Sequence, residues 1–337
     1  MNRDLPDLKN RDIVMISDYV DDYDEEDINE EQKFLEAIKK QIEKDGKKFY
    51  FIEIKNLEEL DKELNKFDPK DVIIFNWCEE IYGKPNSGPQ ITKYLDKKGF
   101  IYTGADTQTL ELNQNKIKVK DLLIKNGVST PKYFLAKINE PVKVHDGITF
   151  PLIVKTSKEH GSLGITDKSV VTNYDELVEQ VNIVFKDFKQ DAMVEKFIDG
   201  PEYHVTVWGN GEPQVLPLIE IDYTKSQGKK FKLQNYDSKW TKGSRDYEVT
   251  KIKKPEGLTD YITKEIEQLA LATFKITKCR GYARFEIRVQ NNIPYIIDVN
   301  ANPAFLPHVS VLKSAKLAGY NNGRAVEKIC EFSLISK

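Results

Sequence analysis

Tyr282-Ala283-Arg284-Phe285-Glu286-Ile287-Arg288-Val289 and Pro294-Tyr295-Ile296-Ile297-Asp298-Val299-Asn300, linked through Gln290-Asn291-Asn292, read as the two strands of an antiparallel hairpin. Side chains alternate across a strand, so Arg284, Glu286 and Arg288 share one side while Phe285, Ile287 and Val289 share the other. Asp298 and Asn300 likewise share a side. A register that joins the polar sides brings Glu286, Asp298 and Asn300 together as oxygen donors beside two guanidinium groups, opposite an apolar face. Hard oxygen donors suit magnesium, and a guanidinium fork grips anions at two points where an ammonium acts as one. The arginines are distributed accordingly: only seven of the 51 basic residues are arginine, and Arg280, Arg284 and Arg288 fall within nine positions. On spacing alone, a solvent-facing hairpin with interspersed charge pairs is the competing reading.

Outward from the hairpin, the first hundred residues alternate strand-like and helix-like patterns, the signature of a layered unit with a parallel sheet. Strands are expected at 12–16, 49–54 and 71–75. Helices are marked by Phe34, Leu35, Ile38 and Ile42, by Leu57, Leu60 and Leu64, and by Ile91, Tyr94 and Leu95. A smaller α+β unit follows, with a helix at Ile117, Leu122 and Leu123, several strands, and a helix carrying Leu177, Val181, Phe185 and Phe188. Beyond it lie a hairpin of strands 203–208 and 214–221 around Gly209-Asn210-Gly211, a Lys-rich stretch at 224–246 expected to be a mobile loop, a long helix at 259–277, and one C-terminal helix after the last two strands. The fold class is therefore α/β followed by α+β.

The usual phosphate-binding loops, G-x-x-x-x-G-K-[ST] and G-x-G-x-x-G, are absent. Instead, the strand Phe150-Pro151-Leu152-Ile153-Val154-Lys155 leads into a loop containing Gly161-Ser162-Leu163-Gly164. Glycines on both sides of Ser162 let backbone N–H groups approach phosphate oxygens, and Lys155 adds charge. A hairpin loop without function is the competing reading. The four histidines (145, 160, 204 and 308) are scattered and receive no role, His160 alone lying in a suggestive loop. The segment 18–31 holds nine acids and no base. Such runs are ordinarily solvated surface, but a loop of this kind behind a first parallel strand stands where ligands bind, and Glu25 and Glu26 there would attract a cationic amine.

Composition narrows the classes further. At about 150 residues per domain, 337 residues make two or three packed units. With 51 basic and 54 acidic residues the net charge is -3, which argues against nucleic acid or an anionic membrane as a general partner. Mean hydropathy is -0.54, no apolar run approaches the roughly 18 to 20 residues that cross a bilayer, and the opening Met1–Asp7 lacks an apolar signal core. Cys78, Cys279 and Cys330 are odd in number without C-x-x-C pairing, so a cytoplasmic location is expected and neither a disulfide framework nor a zinc site is.

Taken together, these residues resemble the ATP-grasp enzymes, and within them D-alanine D-alanine ligase and its relatives. The resemblance runs from about residue 76 to 331. It rests on Asn76 to Gly83, Tyr102-Thr103-Gly104, Asn115-Lys116, Phe150 to Lys155, Glu195-Lys196-Phe197-Ile198-Asp199-Gly200-Pro201-Glu202, Tyr282-Ala283-Arg284 and Asp298-Val299-Asn300-Ala301-Asn302-Pro303. It implies an ATP-grasp fold with an N-terminal substrate unit (1–106), a central grasping unit (107–194) and a C-terminal grasping unit with the metal site (195–337).

By the same resemblance, Lys116 and Lys155 contact ATP phosphates beneath the Gly161-Ser162 loop. Glu195, Lys196, Phe197 and Ile198 line the adenine cleft, with the main chain of Lys196 and Ile198 reading the base. Glu202 holds the ribose, and Lys239 reaches in from the Lys-rich segment. Glu286, Asp298 and Asn300 bind two magnesium ions, with manganese as a substitute, and Arg284, Ser162 and Lys239 take catalytic roles. The implied reaction turns a carboxylate into an acyl phosphate and then an amide. Partners are ATP and small amino-acid or peptide substrates, with no nucleic acid or membrane, and with a homodimer left open.

The family's cell-wall enzymes differ on the substrate side. They carry Gly-Ser-Ser-Val-Gly where this chain has His160-Gly161-Ser162-Leu163-Gly164, a histidine near Glu79, a glycine at Ala304, and a serine-leucine pair near Val309-Ser310. Their N-terminal Gly-rich, glutamate-bearing motif is replaced here by the acidic segment after Ile16. The expectation is a ligase with other substrates; the cell-wall ligase itself and an inactive ATP-binding regulator are the alternatives.

Overall fold

The computed structural model describes residues 8–21, 24–159, 161–226 and 228–335. His160, the opening segment and Asp22 of the acidic run lie outside them. A parallel sheet of order β2-β1-β3-β4 forms first, from β1 (Asp12–Asp18), β2 (Phe49–Ile54), β3 (Val72–Asn76) and β4 (Ile101–Tyr102). The near-continuous apolar runs of β1 and β3 suit strands buried on both faces. Helix α1 (Glu25–Lys44) covers one face with Phe34, Ile38 and Ile42, while α2 (Leu57–Leu64) and α3 (Gly88–Lys98) cover the other.

Helices α4 (Thr107–Asn113) and α5 (Lys116–Lys125) lead to an antiparallel sheet of order β5-β8-β6-β7. Its strands are β5 (Tyr133–Ala136), β6 (Leu152–Thr156), β7 (Val170–Val171) and β8 (Ala192–Lys196), backed by α6 (Tyr174–Ile183). The last sheet has the order β12-β11-β9-β13-β14, with β10 also on β9. It comprises β9 (Glu202–Gly209), β10 (Gln214–Val215), β11 (Ile219–Asp222), β12 (Lys251–Lys253), β13 (Gly281–Gln290) and β14 (Ile293–Asn300). Between β11 and β14 the chain forms α7 (Tyr236–Trp240), α8 (Arg245–Val249) and α9 (Asp260–Ile276). Phe285, Ile287 and Val289 pack against α9 together with Val205 and Val207, so the opposite face of β9 and β13 is left for polar groups. Each such fully buried side chain contributes roughly 1.5–3 kcal/mol. No helix among the described residues is long and apolar enough to cross a membrane.

Four local expectations are corrected. The acidic run from Glu25 onward is helix rather than loop: Asp24 caps α1 by accepting from the Asp27 N–H, Asp27 returns the contact, and Glu25, Glu26 and Asp27 occupy the first turn. Acids are favoured there by the helix dipole and need no ligand to explain them. The Lys-rich stretch is not one loop, because Asn235 and Ser244 cap α7 and α8. The chain ends in two helices, α10 (Ser310–Leu317) and α11 (Asn322–Leu334), separated by Gly319 at φ +91° and the Asn321 cap. The strand expected at 214–221 is interrupted at Pro217, which has no N–H to donate to a ladder.

Candidate functional site

An open cleft of about 710 Å³ lies between the two antiparallel sheets, walled by β6 and β8 on one side and by β9, β13 and β14 on the other. Lys116, Lys155, Ser162, Glu195, Lys196, Phe197, Ile198, Glu202, Lys239, Glu286 and Asp298 all line it. Gly161, Arg284 and Asn300 are not part of its lining and stand beside residues that are.

The hairpin register pairs Glu286 with Asp298 and Arg284 with Asn300. A bulge follows Glu286, so Ile297 is the extra residue and its carbonyl is reached by Lys155 Nζ at 3.5 Å. Arg284 Nη2 donates to Glu286 Oε1 at 3.0 Å, and Lys239 Nζ lies 3.4 Å from the same oxygen. Burial pushes the Glu286 carboxyl up, but Lys239, His204 and Arg284 outweigh it and hold the group well below the usual carboxylate range. Asp298 Oδ1 accepts from Lys116 Nζ at 2.8 Å. Asn300 Oδ1 accepts from the Asn302 N–H at 3.1 Å.

The opposite wall is a buried charge triad. Glu195, 1% exposed, lies 3.0 Å from both Lys155 and Lys120. Burial pushes the Glu195 carboxyl up, yet the two ammonium groups pull it below its ordinary value. The shared carboxylate fixes the Lys155 ammonium in the cleft wall. Glu195 thus lines the cleft while its carboxylate is held between the two lysines.

Arg288 departs from the anion-gripping role suggested by spacing. It is 3% exposed; Nε and Nη2 donate to Glu202 Oε2 at 2.9 and 2.7 Å, Nη1 to the Ile198 carbonyl at 3.0 Å, and Nη2 also to the Lys232 carbonyl. Tyr223 donates its hydroxyl to the same Glu202 oxygen at 2.9 Å. Arg280 lies over the Tyr102 ring, 4.6 Å from its centroid, away from the cleft lining. Of the three clustered arginines, Arg284 alone holds the metal-ligand candidate Glu286.

The glycine loop is clasped from above. Ser162 and Gly161 have φ of +65° and +64°. Ser162 Oγ donates to the Gln234 carbonyl at 3.0 Å, and Trp240 Nε1 donates to the Gly161 carbonyl at 2.7 Å. At Gly164 a Cβ would come within 2.8 Å of the Phe188 ring, so no side chain fits.

At the carboxyl edge of the parallel sheet, the acids that crowd together are Asp18, Glu31, Glu53, Glu79 and Glu80, not Glu25 and Glu26. Burial, with a smaller contribution from neighbouring acids, pushes Asp18 up to about 6 and Glu79, with Asp18 beside it, up to about 7. Between its unfolded value of 3.8 and about 6, Asp18 binds more protons folded than unfolded, so its ionisation costs stability as pH rises through that window. Asp18→Asn is therefore expected to raise stability at pH 8 by about 1 kcal/mol after screening by water in the cleft, and to lose that gain as pH falls from 6 to 4. Urea midpoints of both proteins across this range check it; a destabilised variant at pH 8 refutes it.

Two site residues escape the sequence reading. Lys120 is one helical turn after Lys116, and that i,i+4 spacing is the available signal. His204 shares a strand face with Glu202 by simple alternation, and its register partner is Glu286.

A family model described as the D-ala D-ala ligase C-terminus matches residues 125–331. An uncharacterized protein, y4sG, of Sinorhizobium fredii is 26% identical, over 80% of this chain and 78% of that protein. The D-alanine–D-alanine ligase of Desulforamulus reducens is 27% identical, over 75% of this chain and 80% of its own length. The crystal structure of D-alanine–D-alanine ligase from Bacillus anthracis complexed with ATP matches with a TM-score of 0.74 at 21% identity, covering 96% of this chain and 97% of that one.

Proposed function

We propose, from the premise that this chain belongs to the D-ala D-ala ligase C-terminus family, that it joins a carboxylate to an amine using ATP, through an acyl phosphate, with release of ADP and phosphate. The chain has the ATP-grasp fold and is a ligase that forms carbon–nitrogen bonds. The observation that carries the finer reading is a single cleft with Lys155 and Lys116 at one end of its floor and the Glu286–Asp298 pair beside them.

The donor set fits a hard dication: two carboxylates sit in register on adjacent strands, with Asn300 on the same side. Glu286, Asp298 and Asn300 would hold magnesium, which when bound neutralises charge on phosphoryl oxygens. Lys155, oriented by Glu195, and Lys116 position the γ-phosphoryl group of ATP for attack by the substrate carboxylate. Arg284 lies beside Glu286, where its guanidinium serves the oxyanion formed as the amine displaces phosphate. The Gly161–Gly164 loop, held by Ser162 and Trp240, excludes water from the acyl phosphate. The acids at the parallel-sheet edge are suited to receive the incoming ammonium group.

The substrates we infer are amino acids or a peptide acceptor other than the D-alanine pair, in line with the changed positions at Glu79, Ala304 and the N-terminal motif. The test is ADP and phosphate release across a panel of L- and D-amino acids and dipeptides. Turnover with several of these supports the reading. Turnover with D-alanine alone replaces it with cell-wall dipeptide synthesis, and ATP binding without phosphate release for any pair replaces it with a nucleotide-binding regulator.

A further inference from the structure

We propose that Glu202, His204 and Glu286 form a site for a transition-metal dication of the manganese, cobalt or zinc class, which shares Glu286 with the all-oxygen set on the hairpin and differs from it in its other donors. The three side chains project from adjacent strands, with His204 and Glu286 as cross-strand partners. One donor atom from each lies within 4.8 Å of the others, and all three residues are buried. His204 Nε2 faces Glu286 Oε1 at 3.7 Å and Glu202 Oε1 at 3.8 Å, too long for hydrogen bonds, and this nitrogen is buried without a hydrogen-bond partner.

The surroundings have the form of an outer metal shell. His204 Nδ1 is 3.0 Å from Ser310 Oγ, a contact that fixes the ring and, with Nδ1 as donor, presents the Nε2 lone pair to the two carboxylates. A lone pair facing two anions is repulsive unless a cation stands between them. The second oxygen of Glu202 is held by Arg288 and Tyr223, which leaves Oε1 to point inward. Arg284 and Lys239 lean on Glu286, and a bound dication displaces the longer of those contacts, Lys239 at 3.4 Å. An imidazole nitrogen beside two carboxylates favours a transition-metal dication over magnesium, whose preference is for oxygen alone, and manganese accepts the carboxylate oxygens as well. Glu286 is then shared between the two sets of donors.

The test uses the full chain without nucleotide and is independent of the ligase reading. Manganese is added and the bound ion is examined by electron spin-echo envelope modulation, which detects a directly coordinated imidazole nitrogen. The expected result is nitrogen modulation in the parent protein, its loss in His204→Ala, and manganese affinity weakened at least tenfold. His204→Asn serves if the alanine variant does not fold. Absence of manganese binding, binding with oxygen-only ligation, or nitrogen modulation that survives removal of His204 overturns the proposal; in the first case a proton on His204 is the cation that joins the two carboxylates.

Discussion

Arg288→Ala lowers the stability of the chain by roughly 3–5 kcal/mol, the cost of leaving one member of a buried ion pair without the other. Glu202 is 2% exposed, and the variant retains only the Tyr223 hydroxyl on the oxygen that Arg288 now doubly engages. The carbonyls of Ile198 and Lys232 lose their donor as well. A downward shift of the urea midpoint measures the effect. The paired change Glu202→Gln with Arg288→Met, which removes both charges, is expected to cost less than Arg288→Ala alone. An unchanged midpoint for the single variant contradicts the structural role assigned to the pair. The same result bears on function, because β9, β13 and the 198–202 turn are joined by this one guanidinium.

Glu286→Gln is expected to reduce turnover by about a thousandfold or more while nucleotide binding changes only a few-fold. Glutamine has nearly the same shape, so packing is kept, but it removes the negative charge against which Lys239 and Arg284 are placed. It also removes one of the two carboxylates available to a hard dication, and charge neutralisation is where phosphoryl transfer gains most of its rate. Lys196, Phe197 and Ile198, where the adenine is proposed to bind, line the same cleft but are not part of that charge cluster. Single-turnover phosphate release and a separate nucleotide-binding titration distinguish the two effects. A variant with undiminished turnover would remove the hairpin from the reaction.

The hairpin was legible because strand alternation is local: Phe285, Ile287 and Val289 face the core, and the polar partners face the cleft. The parallel unit was legible for the same reason, through its continuous apolar strands. What escaped depends on register between distant segments. Nothing near residue 204 announces that His204 will meet Glu286, or that Arg288 will lock onto Glu202 instead of an anion, since both follow from the long-range pairing of β9 with β13. The acidic run and the Lys-rich stretch were misread for a different reason. Their polar composition hides short helices whose ends are set by capping side chains rather than by apolar periodicity.

The five-residue helix α7 reports on three parts of the molecule at once. Lys239 reaches Glu286, Trp240 holds the Gly161 carbonyl, and just beyond the helix Lys242 pairs with Asp27 in the first turn of α1. Lys239, Trp240 and Lys242 fall within four consecutive residues, so the three contacts are mechanically coupled through one short stretch of chain. The Gly161–Gly164 loop, the metal-ligand candidate Glu286 and the first turn of α1 are thereby tied to one another. A substitution that unseats α7 is therefore expected to loosen all three contacts together.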